Sequence, residues 1–210
     1  MTADLSAEYG KKKREIRERL KDFKAVWDEP DRRLFSELCF CICTPQSKAI
    51  QCDKAISGLE KSGVLFKGRL REINTGLKAI RFHNNKARYI VGARKLFTKS
   101  GAIRIKDRIE PRDVQGTRLW LVRNVKGLGF KEASHFLRNI GLGKGLAILD
   151  VHILKNMVRY GVIKEAPGSL SRKGYLALED KLRKFSKKIN IPMDELDLLF
   201  WSSETGEVFK

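Results

Sequence analysis

Two glycines, a lysine and an aspartate carry the sharpest chemical signal in this chain. Gly127 and Gly129 precede Lys131 in VKGLGFKEASHFLRNIG (residues 125–141), and Asp150 follows in ILDVHIL. Glycine adopts backbone conformations that other residues resist, so successive amides can turn outward toward an anion. The helix predicted to open there adds unpaired N–H groups of its own, which makes a phosphate site. Lys131 falls in the first turn, where the positive helix end disfavours a second positive charge. An amine able to release its proton near neutral pH is a nucleophile. Anion binding and covalent chemistry are therefore both expected within one short stretch.

Asp150 can return to Lys131. A helix over residues 131–140 advances roughly 15 Å at about 1.5 Å per residue. The connection Gly141–Leu149 spans up to about 30 Å when extended, enough to come back to the level of the lysine. Asp150 precedes the apolar run Val151, Ile153, Leu154, Met157 and Val158, and aspartate at such a boundary is a favoured N-cap. A carboxylate held by backbone amides stays ionised. That suits a group facing a developing positive charge.

The elements that must position these residues read as helices almost throughout. Ile16, Leu20, Phe23 and Trp27 recur at helical spacing in a charged first helix ending near Pro30. A very apolar helix is predicted over 32–43, stopping before Pro45, and a third around Ile50, Ala55, Ile56 and Leu59, closed by Gly63. A short helix over 68–75 follows, then one between Asn84 and Gly101. Pro111 is suited to start the helix carrying Val114, Trp120 and Leu121. The hairpin helix, one after Asp150, one over about 171–188 and one from Pro192 to about Ser203 complete the series. No alternating strand pattern competes, and the expected class is all-α.

Lysine and arginine number 44 against 25 acids, a net charge of +19 over 210 residues. Such an excess attracts polyanions. A generically basic surface, as in a ribosomal protein, competes on charge alone, but the clusters Lys11–Arg14, Lys86–Arg88 and Arg183–Lys188 lie in amphipathic helices rather than one tail. No apolar run of about 18 residues and no signal-peptide pattern is found, so a soluble protein of the cytoplasm or nucleoid, without a membrane partner, is expected. Cys39, Cys41, Cys43 and Cys52 have neither zinc-finger nor four-cysteine cluster spacing. Reduced core thiols are expected, with no iron–sulfur cluster.

Gly-x-Gly-x-Lys with Asp-x-His nineteen residues after the lysine resembles the helix-hairpin-helix DNA glycosylases, the superfamily that includes endonuclease III. ELCFCICTPQSKA (37–49), RFHNNKARYI (81–90), VRNVKGLGFKEASHFLRNIG (122–141) and the ending LDLLFWSSETGEVFK more closely resemble the archaeal-type 8-oxoguanine DNA glycosylase/AP lyases. The resemblance implies two helical domains with the active-site cleft between them. One is a six-helix barrel over 32–145 that includes the helix-hairpin-helix at about 115–141. The other is discontinuous, 1–31 plus 146–210, and carries Asp150 and the carboxy-terminal tail.

The same resemblance implies a bifunctional enzyme of base excision repair acting, as a monomer, on double-stranded DNA containing oxidised guanine. Lys131 would form a Schiff base with the sugar of the excised 8-oxoguanine, Asp150 would assist, and β-elimination would nick the strand 3′ to the abasic site. The amides at Gly127, Gly129 and Lys131 would face a phosphate, with His152 as a further donor. Backbone carbonyls of Arg123, Val125 and Leu128 correspond to positions that bind a monovalent cation in relatives. Phe82 and Trp201 match the aromatic pair expected to sandwich the base, and the main-chain carboxylate of Lys210 would accept hydrogen bonds from the purine. Gln46 matches a polar residue inserted into the gap left by the flipped base, and His135, one turn beyond Lys131, could touch the pocket rim.

Each role has a plainer competitor. Lys131 could only contact phosphate, Asp150 could only cap a helix, and His152 and His135 could be ordinary packed side chains. Trp201 could be core, Lys210 a frayed end, and Gln46 a loop residue beside Ser47, the better cap for the next helix. The same chemistry on another damaged base, or a noncatalytic helix-hairpin-helix DNA-binding module, are the alternative functions.

Overall fold

The structure, a computed structural model, describes residues 2–210. Helix α1 (Thr2–Val26) turns Leu5, Ile16 and Phe23 inward and leaves its charged face outside. Pro30, with φ −57°, stands as N-cap to α2 (Asp31–Cys43), because its fixed φ suits a helix entrance and no N–H is needed there. Every residue from Leu34 to Cys43 is buried, which makes α2 the central helix of its neighbourhood. Around it come α3 (Ala49–Lys61), α4 (Val64–Lys67), α5 (Leu70–Gly76) and α6 (His83–Phe97). The single turn α4 was not expected, because four residues cannot display a helical period.

A two-residue hairpin corrects the expectation of no strands. β1 (Thr98–Lys99) pairs antiparallel with β2 (Ala102–Ile103) through a turn in which Ser100 and Gly101 both have positive φ, the handedness that suits strand twist. Strands this short cannot show alternation. The next helix, α7 (Val114–Asn124), starts later than Pro111: Asp113 caps it, accepting the Gly116 N–H at 2.8 Å. The remaining helices are α8 (Phe130–Asn139), α9 (Val151–Arg159), α10 (Arg172–Ile189), capped by Ser171, and α11 (Met193–Thr205), entered through Pro192. The class is all-α, as expected.

Two apolar cores form. One is built from α2 to α8 and ends at Leu146; the other joins Leu5, Ile16 and Phe23 of α1 to residues of α9, α10 and α11. Helices α7 and α8 are held to the second core by two buried ion pairs. Arg138 donates to Asp197 of α11 at 2.8 Å. Arg118 of α7 donates to both oxygens of Glu179 on α10, at 2.7 and 2.9 Å, and Glu179 also accepts the Ala147 N–H at 2.8 Å. Charged groups out of water persist only when paired; of the Arg118 guanidinium, only Nε closes no hydrogen bond among the described residues. After α8 the chain turns at Gly141, φ +80°, where a Cβ would lie 2.6 Å from the Lys24 Cα of α1. Among the described residues, no helix is long and apolar enough to cross a membrane.

Candidate active site

Helices α7 and α8 flank a tight hairpin. Its turn is closed by Leu128 N–H donating to the Val125 carbonyl at 3.3 Å. Gly127 is exposed with φ +89°, and a Cβ there would meet the Tyr89 ring at 2.5 Å, so both conformation and space demand glycine. Gly129 is the N-cap of α8, and its N–H donates to Glu132 Oε2 at 3.0 Å. That amide, expected to face a phosphate, is thus engaged by the capping-box carboxylate, and an anion arriving there must share or displace it. Phe130 packs on Tyr175 of α10 with ring centroids 5.4 Å apart and lies beneath the Arg118 guanidinium. This fixes the start of α8. Lys131 follows, its side chain 22% exposed and its Nζ 3.8 Å from Glu132 Oε1.

Asp150 is the N-cap of α9, accepting the Ile153 N–H at 2.8 Å. His152 lies in the first turn, half-buried, and its carbonyl accepts from Asn156 Nδ2 at 3.0 Å. Lys131 and Asp150 both act on one buried carboxyl, Asp197. Burial pushes Asp197 up to about 7; Arg138 opposes, Asp150 adds to the rise, and Lys131 lowers it. The charges of Lys131 on α8 and Asp150 on α9 are therefore both felt at this residue of α11. Asp197 and Arg138 were not identified from sequence, although an aspartate inside the apolar run ELDLLFW is itself a signal, since such a charge is buried only with a partner.

A second group lies on the barrel side. Gln46 is exposed in the turn between α2 and α3 with φ +54°, and Phe82, N-cap of α6, is 51% exposed with φ +58°. Left-handed backbone at a glutamine and a bulky aromatic is strained, and strain of this kind gathers at functional sites. Arg81 lies over the Phe82 ring, 4.9 Å from its centroid. Ser47 does not cap α3; Lys48 occupies that position without a side-chain bond. The Ser47 hydroxyl instead accepts from Lys86 Nζ at 3.0 Å.

The chain end folds back onto the protein. Lys210 Nζ lies 2.9 Å from Glu37 Oε1 and 2.7 Å from Asp53 Oδ1, and 4.6 Å from the centre of the Phe40 ring. The Phe209 carbonyl accepts from Arg19 Nε at 3.2 Å, and Phe209 rests 6.3 Å from the Trp201 ring. His135 is buried edge-on to Phe40 at 5.5 Å. Burial, then the charges of Arg138, Lys131 and Lys210, push it well below the usual imidazole range. It is a buried neutral ring beside the chain end, and among the described residues neither nitrogen has a side-chain hydrogen-bond partner. Among the described residues no ring contact joins Phe82 to Trp201; the former faces Arg81 and the latter Phe209.

The family model described as 8-oxoguanine DNA glycosylase matches residues 16–191. The chain belongs to that family. The 8-oxoguanine DNA glycosylase/AP lyase of Fusobacterium nucleatum is 45% identical over 197 residues, 93% of this chain and 91% of that one. The protein of the same name from Korarchaeum cryptofilum is 41% identical over 206 residues, 96% of this chain and 93% of its own. The crystal structure of the Methanocaldococcus jannaschii 8-oxoguanine glycosylase/lyase in complex with 15mer DNA containing 8-oxoguanine is similar at a TM-score of 0.90 and 34% identity, over 100% of this chain and 99% of that one.

The cation positions implied by the 8-oxoguanine DNA glycosylase resemblance fit the hairpin's chemistry. The Val125 carbonyl accepts the Leu128 N–H, while among the described residues the Arg123 carbonyl accepts no main-chain bond outside α7 and the Leu128 carbonyl, in the hairpin, accepts none. Oxygen lone pairs of this kind suit a hard cation. The four cysteines of this family member are buried and free. Burial pushes the Cys43 thiol up to about 12 and that of Cys52 to about 11, and Cys52 Sγ donates to the Cys43 carbonyl at 3.2 Å. These are the properties of core thiols.

Proposed function

We propose that this member of the 8-oxoguanine DNA glycosylase family excises 8-oxoguanine from double-stranded DNA and then nicks the strand, with Lys131 as nucleophile. The enzyme class, a DNA N-glycosylase with AP lyase activity, follows from family membership. The observation that carries the reading is that Lys131 opens α8 directly after the glycine hairpin, while Asp150 is fixed as the N-cap of α9 by the Ile153 amide. A helix start and a helix cap supply a fixed amine and a fixed carboxylate.

The chemistry follows from the bond to be cut. A base stacked in a duplex hides its sugar carbon, so the nucleotide must first be flipped out at a cost of a few kcal/mol. The hairpin amides around Gly127, Gly129 and Lys131, helped by His152, hold the backbone phosphate. The carbonyls of Arg123, Val125 and Leu128 would hold a monovalent cation, which would supply fixed positive charge beside that phosphate. Lys131 Nζ forms a bond to C1′ as the base leaves with the electron pair of its glycosidic bond. Loss of the amine proton and opening of the sugar give the Schiff base. Removal of a C2′ proton then expels the 3′ phosphate by β-elimination. Asp150 stabilises the positive charge that grows on the sugar.

Phe82 and Trp201 provide flat faces for the base, the Lys210 main chain reads its N–H groups beside His135, and Gln46 fills the vacated stack. The two apolar cores support a barrel domain over 32–145 and a discontinuous domain of 1–31 plus 146–210, working as a monomer. Borohydride trapping tests the mechanism: wild type gives a covalent adduct with 8-oxoguanine duplex, and Lys131→Gln gives none. An absent adduct from folded wild type sinks the Schiff base. Excision across a panel of oxidised purines and pyrimidines tests the choice of base.

A further inference from the structure

Lys86 is a buried ammonium that the proposed chemistry does not use. Its residue is 4% exposed, and burial lowers its affinity for the proton. Such a group is tolerated only when its donors are satisfied. All three are. Nζ donates to the Cys43 carbonyl at 2.7 Å, the Pro45 carbonyl at 2.8 Å and the Ser47 hydroxyl at 3.0 Å.

Those acceptors bracket Gln46. They lie on both sides of it, from the last residue of α2 into the short connection to α3, and Gln46 is the residue there with left-handed backbone. The other end of Lys86 is tied to Phe82. Its main-chain N–H donates to the Phe82 carbonyl at 3.1 Å, at the other strained residue of the region. One residue therefore bonds to the segments that carry both Gln46 and Phe82. An exposed turn with an unfavourable φ reverts to other conformations unless its surroundings fix it. Charge-assisted bonds to two carbonyls do so.

We propose that Lys86 is a positioning residue that fixes the Gln46 turn relative to Phe82 and thereby sets how well the enzyme everts a base from duplex DNA. This rests on the reading of Gln46 as the inserted residue and Phe82 as a stacking face. The ammonium touches no substrate; it acts through the turn. Its benefit appears where a stacked base must be removed, and shrinks where the lesion is already unstacked.

The test uses the full chain with 8-oxoguanine in a paired duplex and in a single-nucleotide bulge. Lys86→Met removes the ammonium, and Lys86→Gln, which keeps an N–H donor, is run beside it in case the first variant folds poorly. Expected results are faster amide exchange over residues 44–48 and a fall in duplex excision on the order of tenfold or more. The fall is smaller on the bulge, and Lys86→Gln loses less than Lys86→Met. A double-mutant cycle with Gln46→Ala is non-additive, because both act through one turn. Equal losses on duplex and bulge, or additive losses when Gln46→Ala is itself impaired, overturn the role of Lys86. A Gln46→Ala variant with undiminished duplex excision instead overturns the insertion reading, and with it the route from Lys86 through Gln46.

Discussion

The ammonium of Lys210, the last residue of the chain, lies 2.9 Å from the carboxylate of Glu37, a buried residue of the central helix. Glu37 also accepts from Arg33 at 2.7 Å and from Asn139 at 3.0 Å. Burial alone pushes its carboxyl up, but Lys210 and Arg33 outweigh that and hold it below the ordinary value. A carboxyl lowered in the folded state stabilises above its unfolded value and loses that contribution as pH falls through the folded one. Glu37→Gln is therefore predicted to release the tail at neutral pH, as acid does for wild type. The measurement is 8-oxoguanine excision beside cleavage of a preformed abasic site: excision falls, on the order of tenfold, and lyase activity falls less. Equal activity of an enzyme extended beyond Lys210 removes the tail from base recognition.

Asp150→Asn separates capping from catalysis. Asparagine caps helices about as well as aspartate, so the bond to the Ile153 amide survives and Tm should stay within a degree or two. Excision is expected to fall on the order of 10²- to 10³-fold through loss of the negative charge. A matching collapse of Tm assigns Asp150 to structure alone. Lys131→Gln, by contrast, removes the proposed nucleophile, and trapping is expected to disappear with a loss on the order of 10³-fold or more.

Gly127→Ala probes the hairpin. A side chain at φ +89° costs about 1–2 kcal/mol, and its Cβ would meet the Tyr89 ring at 2.5 Å. DNA affinity is predicted to fall on the order of tenfold, since each 1.4 kcal/mol is a factor of ten. Fluorescence anisotropy with an undamaged duplex reads this directly. Unchanged affinity shows that the turn does not contact the backbone.

Asp197 predicts a pH dependence of stability. Its carboxyl rises from 3.8 to about 7, first through burial, against the pull of Arg138. A raised folded-state value means a contribution fully present below the unfolded value and lost as pH climbs through the folded one. Wild type should lose part of its thermal stability between about pH 4 and 7, and Asp197→Asn should lose less. Thermal melts across that range decide it.

The helical class and most helix ends were legible because apolar spacing, prolines and caps speak locally. Asp150 as a cap is an example: the aspartate, the apolar run after it and the bond to Ile153 belong to a few consecutive residues. What stayed hidden is long-range. The anchor of Lys210 lies on α2, and the acceptors of Lys86 lie some forty positions back along the chain. Glu132 is different: its capping-box spacing from Gly129 is local and visible in the sequence, and its carboxylate holds the very amide an incoming phosphate would need.

The second apolar core takes its residues from both ends of the chain: Leu5, Ile16 and Phe23 from α1, then residues from Ala147 to Phe200. During synthesis, at about 5–20 residues per second, α1 emerges first and waits for most of translation before α11 exists to cover it. The barrel residues can meanwhile collapse on nearer neighbours, which favours early folding. Helix α1 is thus exposed longer than the helices that later cover it. Its many charged residues keep it solvated while it waits, and the second core closes only when the last helix covers the first.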